Sequence, residues 1–253
     1  MRGHRSVGAR EGWCALQRIR ARLGKMEQIK WISHLDYMRA IERALRRSGL
    51  PLTYTQGFNP HPKFAAASAL AVGVTSEGEC FDFYLERPMR TMDFRRRISQ
   101  VLPTGIPIFE AVSVPLTEPA LGAVVNAAWY TGYTRRDPDV TEKEVERLVL
   151  QVLSSPQLPV KRQGKHGEKT IDIRPLVFDL KAVLEHGDEV SLLMWLATGN
   201  EGSVRPEEIL RVVSDLSFSK IGPDFARLHR NRLLIRNRRG FTDPMQPQGF
   251  LGR

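Results

Sequence analysis

The order in which strand and helix patterns follow one another constrains the fold of this chain most. In the first half, apolar residues alternate in strand-like segments and recur at helical spacing in two others. The predicted strands are 18–23, 52–55 with its extended continuation 64–74, 79–86 and 106–114, and the predicted helices are 33–48 and 91–102. This order, β-α-β-β-α-β, is that of the ferredoxin-like unit.

The second half repeats this order more loosely. Strands are predicted at 124–134, 177–184, 189–197 and 225–236, helices at 206–216 and after Thr141, and two short segments, 158–161 and 170–173, flank a basic loop. We therefore predict an α+β protein with two tandem ferredoxin-like (βαββαβ) lobes that contain antiparallel sheets. The predicted organisation is a disordered basic tail at 1–16, lobes at 17–116 and 122–238, and a disordered tail at 239–253.

The charge of the chain points to a polyanionic partner. Lysine and arginine number 38 against 28 aspartate and glutamate residues, which gives a formal net charge of +10. An excess of this size favours RNA, DNA or an anionic membrane face as partner. A basic protein with no nucleic-acid role is the alternative, and charge alone does not separate the two.

The two cysteines, Cys14 and Cys80, are far apart in sequence. This number excludes a disulfide framework, a zinc knuckle and a three-cysteine iron–sulfur cluster within one chain. The cysteine content predicts a reduced, cytoplasmic protein. No run of 18 apolar residues is present, so we expect no membrane span. Walker, Rossmann and Gly-x-Ser-x-Gly motifs are also absent.

The segment 33–36, Ser-His-Leu-Asp, opens the first predicted helix. Ser33 followed by Asp36 is typical of a capped helix start, and Leu35, Met38, Ile41 and Leu45 form the predicted apolar stripe. Capping does not require the imidazole of His34, so this side chain is a candidate for contact with an anionic ligand or for proton transfer. An ordinary surface histidine is the alternative.

A second polar segment, Gln-Gly-Phe-Asn-Pro-His-Pro-Lys, follows at 56–63. Gly57 allows backbone conformations that other residues avoid, and the two X-Pro steps hold their preceding residues extended. A loop stiffened in this way suits recognition of a nucleotide, for which the candidates are Gln56, Phe58, Asn59, His61 and Lys63. A rigid connection with Phe58 in the core is the alternative.

A stripe of arginines lies along the helix between these segments. Arg39, Arg43, Arg46 and Arg47 recur at helical spacing, which is compatible with contacts to successive phosphates. Two further basic clusters, 95–97 and 227–239, favour the same conclusion, although either could be a solvated surface. His34, His61 and Asp36 match no structural zinc pattern, so we expect no metal site.

These motifs resemble the "radical SAM-linked" family, a domain of unknown function. The resemblance is dense over residues 18–80, where it rests on the two polar segments, Arg18-Ile19-Arg20, 42–45, Val72-Gly73 and 76–79. It thins afterwards to 171–175 and 228–230. It implies a partner radical SAM protein that would hold the iron–sulfur cluster and S-adenosylmethionine, with no cofactor in this chain. Genes of this family often lie near those for RNA-processing proteins. The tandem fold is also similar to CRISPR repeat-associated RNA-binding proteins.

Three functions follow as hypotheses. The leading one is a non-catalytic, RNA-binding and substrate-presenting partner of a radical SAM enzyme, with the helix start and the loop lining one basic cleft. The second is a metal-independent enzyme that cleaves or modifies RNA, with His34 and His61 as acid and base and Asp36 orienting one of them. The third is a protein–protein adaptor whose basic face contacts an acidic enzyme surface.

Overall fold

The computed structural model describes residues 17–164 and 167–246, without the side chains of residues 223–225. The predicted tail at 1–16, with Cys14, and the end of the predicted C-terminal tail, 247–253, lie outside the described residues. The strands are β1 (Gln17–Lys25), β2 (Phe64–Ala66), β3 (Thr75–Leu85), β4 (Ile108–Val114), β5 (Ala127–Arg136), β6 (Pro159–Gly164), β7 (Gly167–Asp172), β8 (Val177–Leu184), β9 (Glu189–Ala197), β10 (Ile221–Asn237) and β11 (Gly240–Thr242). The α-helices are α1 (His34–Arg47), α2 (Thr91–Ser99), α3 (Leu121–Val124), α4 (Glu142–Ser154) and α5 (Pro206–Leu216).

Within the described ranges, nine strands form one mixed sheet. Its order is β4-β1-β3-β10-β5-β9-β8, with β2 on β3 and β11 on β10, while β6 and β7 form a separate hairpin. The α+β class is confirmed. The sheet differs from the predicted antiparallel sheets because β10 pairs in parallel with β3, where His229 lies opposite Thr75. Strand β2 has only 3 residues and pairs with the far end of β3, so the beginning of β3 is free to pair with the 17-residue β10.

Helices α1 and α2 cover one face of the first half. On β1, Ile19, Ala21 and Leu23 are fully buried, and they belong to one apolar cluster with α1 and α2. The buried side chains of α1 recur every three or four residues, as expected for a helix that packs one stripe against a sheet: Tyr37, Ala40, Ile41, Ala44 and Leu45. Leu35, assigned to this stripe from sequence, is instead 65% exposed.

Helices α4 and α5 cover one face of the second half. A methyl group added at Gly132 of β5 would lie 3.0 Å from Met194 and 3.7 Å from Leu210 of α5. Gly132 therefore faces the helices. Because successive strand residues point to opposite faces, Tyr133 lies on the side of the sheet that these helices leave uncovered.

Several segments differ from the prediction, among them 52–55, 240–246 and the predicted basic loop 162–169, most of which belongs to the paired strands β6 and β7. Residues 52–55 contribute only isolated bridges, Leu52 to Leu85 and Tyr54 to Pro62, because Pro51 and the loop that follows interrupt regular pairing. Residues 240–246, predicted as part of a disordered tail, form β11 and a turn in which Met245 is buried. The Pro244 carbonyl accepts a hydrogen bond of 2.8 Å from Arg20, which fastens this segment to β1.

Candidate nucleic-acid interface

The start of α1 is a capped helix end. The Ser33 hydroxyl accepts a hydrogen bond from the Asp36 amide (3.2 Å) and donates one to the Asp36 carboxylate (2.7 Å). Arg39 donates to the same carboxylate at 3.2 Å. The hydrogen bonds from Ser33 and Arg39 lower the pKa of Asp36. Asp36 is therefore engaged in the cap and in an ion pair with Arg39, and it does not orient a histidine.

His34 faces inward from the first turn of α1. Its Nδ1 atom is buried and has no hydrogen-bond partner among the described residues. Burial lowers the pKa of His34, Glu79 partly opposes this effect, and Arg230 and Lys25 add to it. The imidazole is therefore neutral near pH 7, next to charged side chains that belong to the interior.

These interior charges form an ion-pair network that joins β3 to β10. Arg230 and Glu79 make a two-pronged contact, and their side chains are 1% and 3% exposed. Ser76 donates to Glu79 at 2.6 Å and to the Arg230 carbonyl at 2.9 Å. Arg230 belongs to the basic cluster 227–239, which was predicted to favour contact with phosphates. In the structure this arginine is buried and pairs within the protein.

The polar loop 56–61 is closed at its base by hydrogen bonds. The amide of Thr55 donates to the His61 carbonyl at 2.8 Å, and the amide of His61 donates to the Thr55 hydroxyl at 3.0 Å. The Lys63 amide donates to Thr53 at 2.7 Å. Gly57 has a φ of +128°, a region that favours glycine, so this position explains the glycine in the motif.

The loop is also fastened to α1. His61 Nδ1 lies 2.8 Å from Glu42 Oε1, and Arg46 donates to the same oxygen at 2.8 Å and to the Pro60 carbonyl at 3.2 Å. The hydrogen bond from His61 is the main cause that lowers the pKa of Glu42. Glu42 therefore acts as a charged anchor that holds the loop beside the helix.

The loop presents its aromatic and amide side chains to solvent. Phe58 is fully exposed, which excludes the alternative that it fills the core, and Gln56 and Asn59 are also exposed. Beneath the loop lies a cavity of about 490 Å³ whose lining includes Tyr54 and Gln56. Lys63 lies outside this cavity lining, with Nζ 4.8 Å from the centre of the Tyr84 ring.

Helices α1 and α2 together form a basic layer. They carry seven arginines against three acidic residues, a formal net charge of +4 over these two ranges, and all seven arginines are exposed. Arg47 donates to the Val101 carbonyl at 2.9 Å and Arg97 to the Gly49 carbonyl at 3.1 Å, so the helix ends are tied together. The arginines are Arg39, Arg43, Arg46, Arg47, Arg95, Arg96 and Arg97.

The structure joins the loop to α1 through Pro60 and His61, which contact Arg46 and Glu42, but it separates the two histidines. His34 lies eight residues before Glu42, the residue that contacts His61. Eight residues correspond to about 12 Å along a helix axis. The two imidazoles are thus more than two helical turns apart along α1 rather than across one cleft.

Sequence reasoning missed a second, larger cavity. A space of about 860 Å³ lies between residues 68–74, the β6–β7 hairpin and the start of α5. Several of its charged side chains pair with each other, Arg162 with Glu208 at 2.6 Å and Lys161 with Glu168 at 2.9 Å. No alternating or helical pattern signals this space, because its walls come from segments distant in sequence.

The described residues offer neither a metal-binding cluster nor an accessible thiol. Among the described residues there is no cluster of three histidine, cysteine or acidic side chains that could hold a metal ion. Cys80 is a free, buried cysteine, and burial raises the pKa of its thiol to about 12. In the described part of the chain, no helix has the length and apolar character needed to cross a membrane.

Comparison with known proteins identifies the family. The model of the family described as "Uncharacterized protein conserved in bacteria (DUF2344)" matches residues 18–206. The chain belongs to the DUF2344 family. The family description names no radical SAM enzyme, so a link of this DUF2344 protein to such a partner stays a prediction.

Two further comparisons do not extend the family assignment. A search of curated proteins finds no match to this DUF2344 protein. Among solved structures, it is similar to a chain of "Crystal Structure of a Cbf5-Nop10-Gar1 Complex", with a TM-score of 0.48 and 11% sequence identity. The similarity covers 85% of this chain and 48% of that chain, so the DUF2344 protein spans about half of that chain's length.

Proposed function

We propose that this DUF2344 protein binds single-stranded RNA and presents it to a partner enzyme of the radical SAM type. The observation that carries the proposal is the basic layer of α1 and α2, where seven exposed arginines face solvent beside a fully exposed Phe58. Arginine binds phosphate through two parallel hydrogen bonds, and an aromatic ring offers a surface for base stacking. The arginines would therefore bind the phosphates of a single RNA strand, and the Phe58 ring would stack on one of its bases.

The arginines of α1 are placed to follow a phosphate backbone. Arg39 and Arg43 are exposed on successive turns, and a helix separates such residues by about 6 Å along its axis, close to the spacing of phosphates in an extended strand. Arg46 and Arg47 extend this track toward the loop and toward α2. Lys63 adds a further cation beyond the loop.

The loop supplies the contacts that would read a nucleotide. Its base is closed by hydrogen bonds and its side is anchored to Glu42, so little conformational freedom remains to be lost on binding. Phe58 offers a stacking surface, while Gln56 and Asn59 offer both donors and acceptors to a base edge. The cavity of about 490 Å³ beneath the loop is large enough for a base.

The separation of the two histidines favours an accessory protein over a histidine-dependent enzyme. An acid and a base must both reach the reacting group, and His34 faces the interior with a lowered pKa while His61 is bound to Glu42. The resemblance of the two motifs to the radical SAM-linked family supports the choice of partner. Such a partner would supply the cluster and S-adenosylmethionine.

We also infer that each half is a ferredoxin-like unit. The strand order β4-β1-β3-β2 of the first half and β10-β5-β9-β8 of the second both correspond to 4-1-3-2 in order of appearance, with the β6–β7 hairpin as an insertion. The two units share one sheet through the pairing of β3 with β10.

The salt dependence of RNA binding tests the proposal. A fluorescently labelled 20-nucleotide single strand is titrated with the protein by anisotropy between 50 and 300 mM salt. Each phosphate contact contributes about −0.7 to the slope of log K against log salt, so four to six contacts predict a slope of about −3 to −4. Absence of binding at 50 mM salt, or a slope near zero, would contradict RNA binding.

The partner is tested separately. The tagged protein is purified from nuclease-treated lysate of cells that co-express a radical SAM protein encoded beside it. Co-purification that survives nuclease treatment supports direct contact, whereas co-purification that nuclease abolishes indicates that RNA bridges the two proteins. Recovery of neither RNA nor enzyme would overturn the presenting role.

A further inference from the structure

The side of the sheet opposite α4 and α5 carries aromatic rings in place of helices. Because Gly132 faces α5, its neighbour Tyr133 and the alternating residue Trp129 point to the other side. Trp195 of β9 lies directly opposite Trp129 in the strand register, so it shares this side. We name this side of β5, β8, β9 and β10 the open face.

A stacked tryptophan pair forms the centre of the open face. The rings of Trp129 and Trp195 are parallel within 1°, with centres 5.6 Å apart. Both side chains are partly exposed. The Trp129 Nε1 atom is buried without a hydrogen-bond partner among the described residues, although a buried indole N–H usually finds one. Two large rings are therefore held in a fixed geometry on a surface that no described helix covers.

Cations lie over the rings of this face. Lys181 Nζ is 5.7 Å from the centre of the Trp195 ring, the Arg227 guanidinium is 5.1 Å from Tyr133, and the Arg236 guanidinium is 4.1 Å from Phe178. Lys181, Arg227 and Arg236 are all exposed. Arg227 also pairs with Glu189, and Asp179 accepts a hydrogen bond from the adjacent Leu180 amide. Further exposed cations, Arg238 and Arg239, follow at the end of β10.

This arrangement differs from an ordinary core cluster of aromatic residues. In the first half, Phe81, Phe83 and Phe94 are buried against helices, and no cation of the described residues lies over their rings. On the open face, the rings of Tyr133, Phe178 and Trp195 are partly exposed, and an exposed cation lies over each of them. Aromatic rings that border solvent and alternate with cations are the features of a surface that stacks bases and neutralises phosphates.

We propose that the open face is a second binding surface for single-stranded RNA, separate from the basic layer of α1 and α2. Different bases of the strand stack on the Trp195 ring and on the Tyr133 ring, and Lys181 and Arg227 move from these rings onto the flanking phosphates. The identity of the ligand as RNA rests on the function proposed above. The stacking surface is an independent observation, which the following experiment tests by itself.

Tryptophan fluorescence reports directly on this surface. The sequence contains 4 tryptophans, Trp13, Trp31, Trp129 and Trp195. In a Trp13→Phe/Trp31→Phe background, all tryptophan emission comes from the stacked pair. Titration with a 12-nucleotide oligoadenylate should quench this emission in a saturable way, with an affinity equal to that from anisotropy. A duplex RNA of the same length should not quench it, because its bases are already stacked.

Affinity variants provide the second readout. In an Arg43→Glu/Arg47→Glu background, which removes the first proposed surface, Trp195→Leu should weaken binding of the single strand by about 5- to 150-fold, the range of stacking contributions for single bases. Phe218→Leu is the matched control, since Phe218 is 92% exposed after α5 and lies outside both proposed surfaces, and it should change affinity less than twofold. Should Trp195→Leu fail to fold, Lys181→Glu tests the same surface through an exposed side chain and should weaken binding several-fold.

The outcomes separate the two proposals. Binding with neither quenching nor an effect of Trp195→Leu or Lys181→Glu overturns the open face as a binding surface and leaves RNA binding through α1 and α2 intact. Absence of any binding by anisotropy overturns both proposals. Equal quenching by the duplex contradicts base stacking and points to phosphate contact alone.

Discussion

The two halves of the molecule share a strand order but carry helices of opposite charge. Helices α1 and α2 have seven arginines and three acidic residues, a formal net charge of +4. Helices α4 and α5 have three basic and six acidic residues, a formal net charge of −3 over their two ranges. Both pairs pack on a sheet through apolar stripes. Packing therefore leaves the sign of the outer charge free, and the proposed RNA-binding side is the one with the positive helix layer.

The side of the sheet that faces away from the helices also differs between the two halves. In the first half, Arg18, Arg20 and Arg22 lie on the side of β1 away from the helices, and all three are buried. Arg20 pairs with Asp82 at 2.8 Å and Arg22 with Asp243 at 2.9 Å, so the C-terminal segment covers this side. The corresponding side of the second half is the open face. The cations of the first half are buried within the fold, whereas Lys181, Arg227 and Arg236 of the second are exposed.

The largest expected effect concerns the contact between the halves. Glu79→Ala leaves the Arg230 guanidinium buried without its partner, and loss of one member of a buried pair costs about 3–5 kcal/mol. Urea denaturation should show this loss in a single transition if the shared sheet makes the halves one cooperative unit. Asp93→Ala, which removes an exposed pair with Arg96, is the control and should cost less than about 1 kcal/mol. Two separate transitions would show that the halves unfold independently.

Charge reversal tests which helix layer binds RNA. Arg43→Glu/Arg47→Glu in α1 should weaken binding of a single strand by more than about 30-fold at 50 mM salt and reduce the salt slope, because two phosphate contacts become repulsive. The matched variant is Lys143→Glu/Arg147→Glu in α4, which changes the net charge by the same amount. Equal losses in both variants would show that only overall charge matters.

Truncation of the exposed loop ring should have a smaller effect. Phe58→Ala removes a stacking surface, and one base contributes about 1–3 kcal/mol, so affinity should fall by at least about 5-fold. The salt slope should stay constant because no phosphate contact is lost. Leu150→Ala, which truncates a side chain of α4 that is 66% exposed, is the control from the other half. A changed slope with Phe58→Ala would argue that the ring acts only by positioning the arginines.

The smallest expected effect is on the pH dependence of folding stability, and it involves one histidine from each half. Burial lowers the pKa of both His34 and His229 below the ordinary value of 6.5. The unfolded chain therefore binds protons more readily than the folded protein below about pH 7, and stability should fall as pH decreases from 7 toward the folded pKa values. His34→Gln and His229→Gln should each flatten this dependence, measured by urea denaturation from pH 7.5 to 5. A pH dependence unchanged in both variants would contradict burial as its cause.

The sequence predicted elements better than their assembly. Alternation and helical spacing were sufficient for β8, β9 and α5, whose bounds agree with the prediction. The loop at 56–61 was recognisable because glycine and proline have few conformational alternatives. Neither the pairing of β3 with β10 nor the burial of Arg230 could be predicted, because both depend on segments about 150 residues apart. The charge of an arginine says nothing about a partner contributed by a distant strand.

The sequence was sufficient to predict which residues of the candidate site are exposed, but it did not predict how they are placed relative to one another. Phe58 and the arginines of α1 are exposed as expected, but the position of His34 on the inner side of α1 depends on Tyr37 replacing Leu35 in the apolar stripe. The open face escaped sequence reasoning because Trp129 and Trp195 look like ordinary residues of buried strands. The position of Gly132 against α5 shows which side of β5 they occupy.

Photo-crosslinking tests the central claim most directly. A single-stranded RNA that contains 4-thiouridine is crosslinked to the protein, and the modified peptides are identified by mass spectrometry. Crosslinks should occur in α1, α2 and the loop at 56–63, and these should disappear with Arg43→Glu/Arg47→Glu, whereas crosslinks to the open face should persist in that variant. Crosslinks confined to α4 and α5, or spread evenly over the surface, would contradict the claim that the charge difference between the halves marks the RNA-binding side.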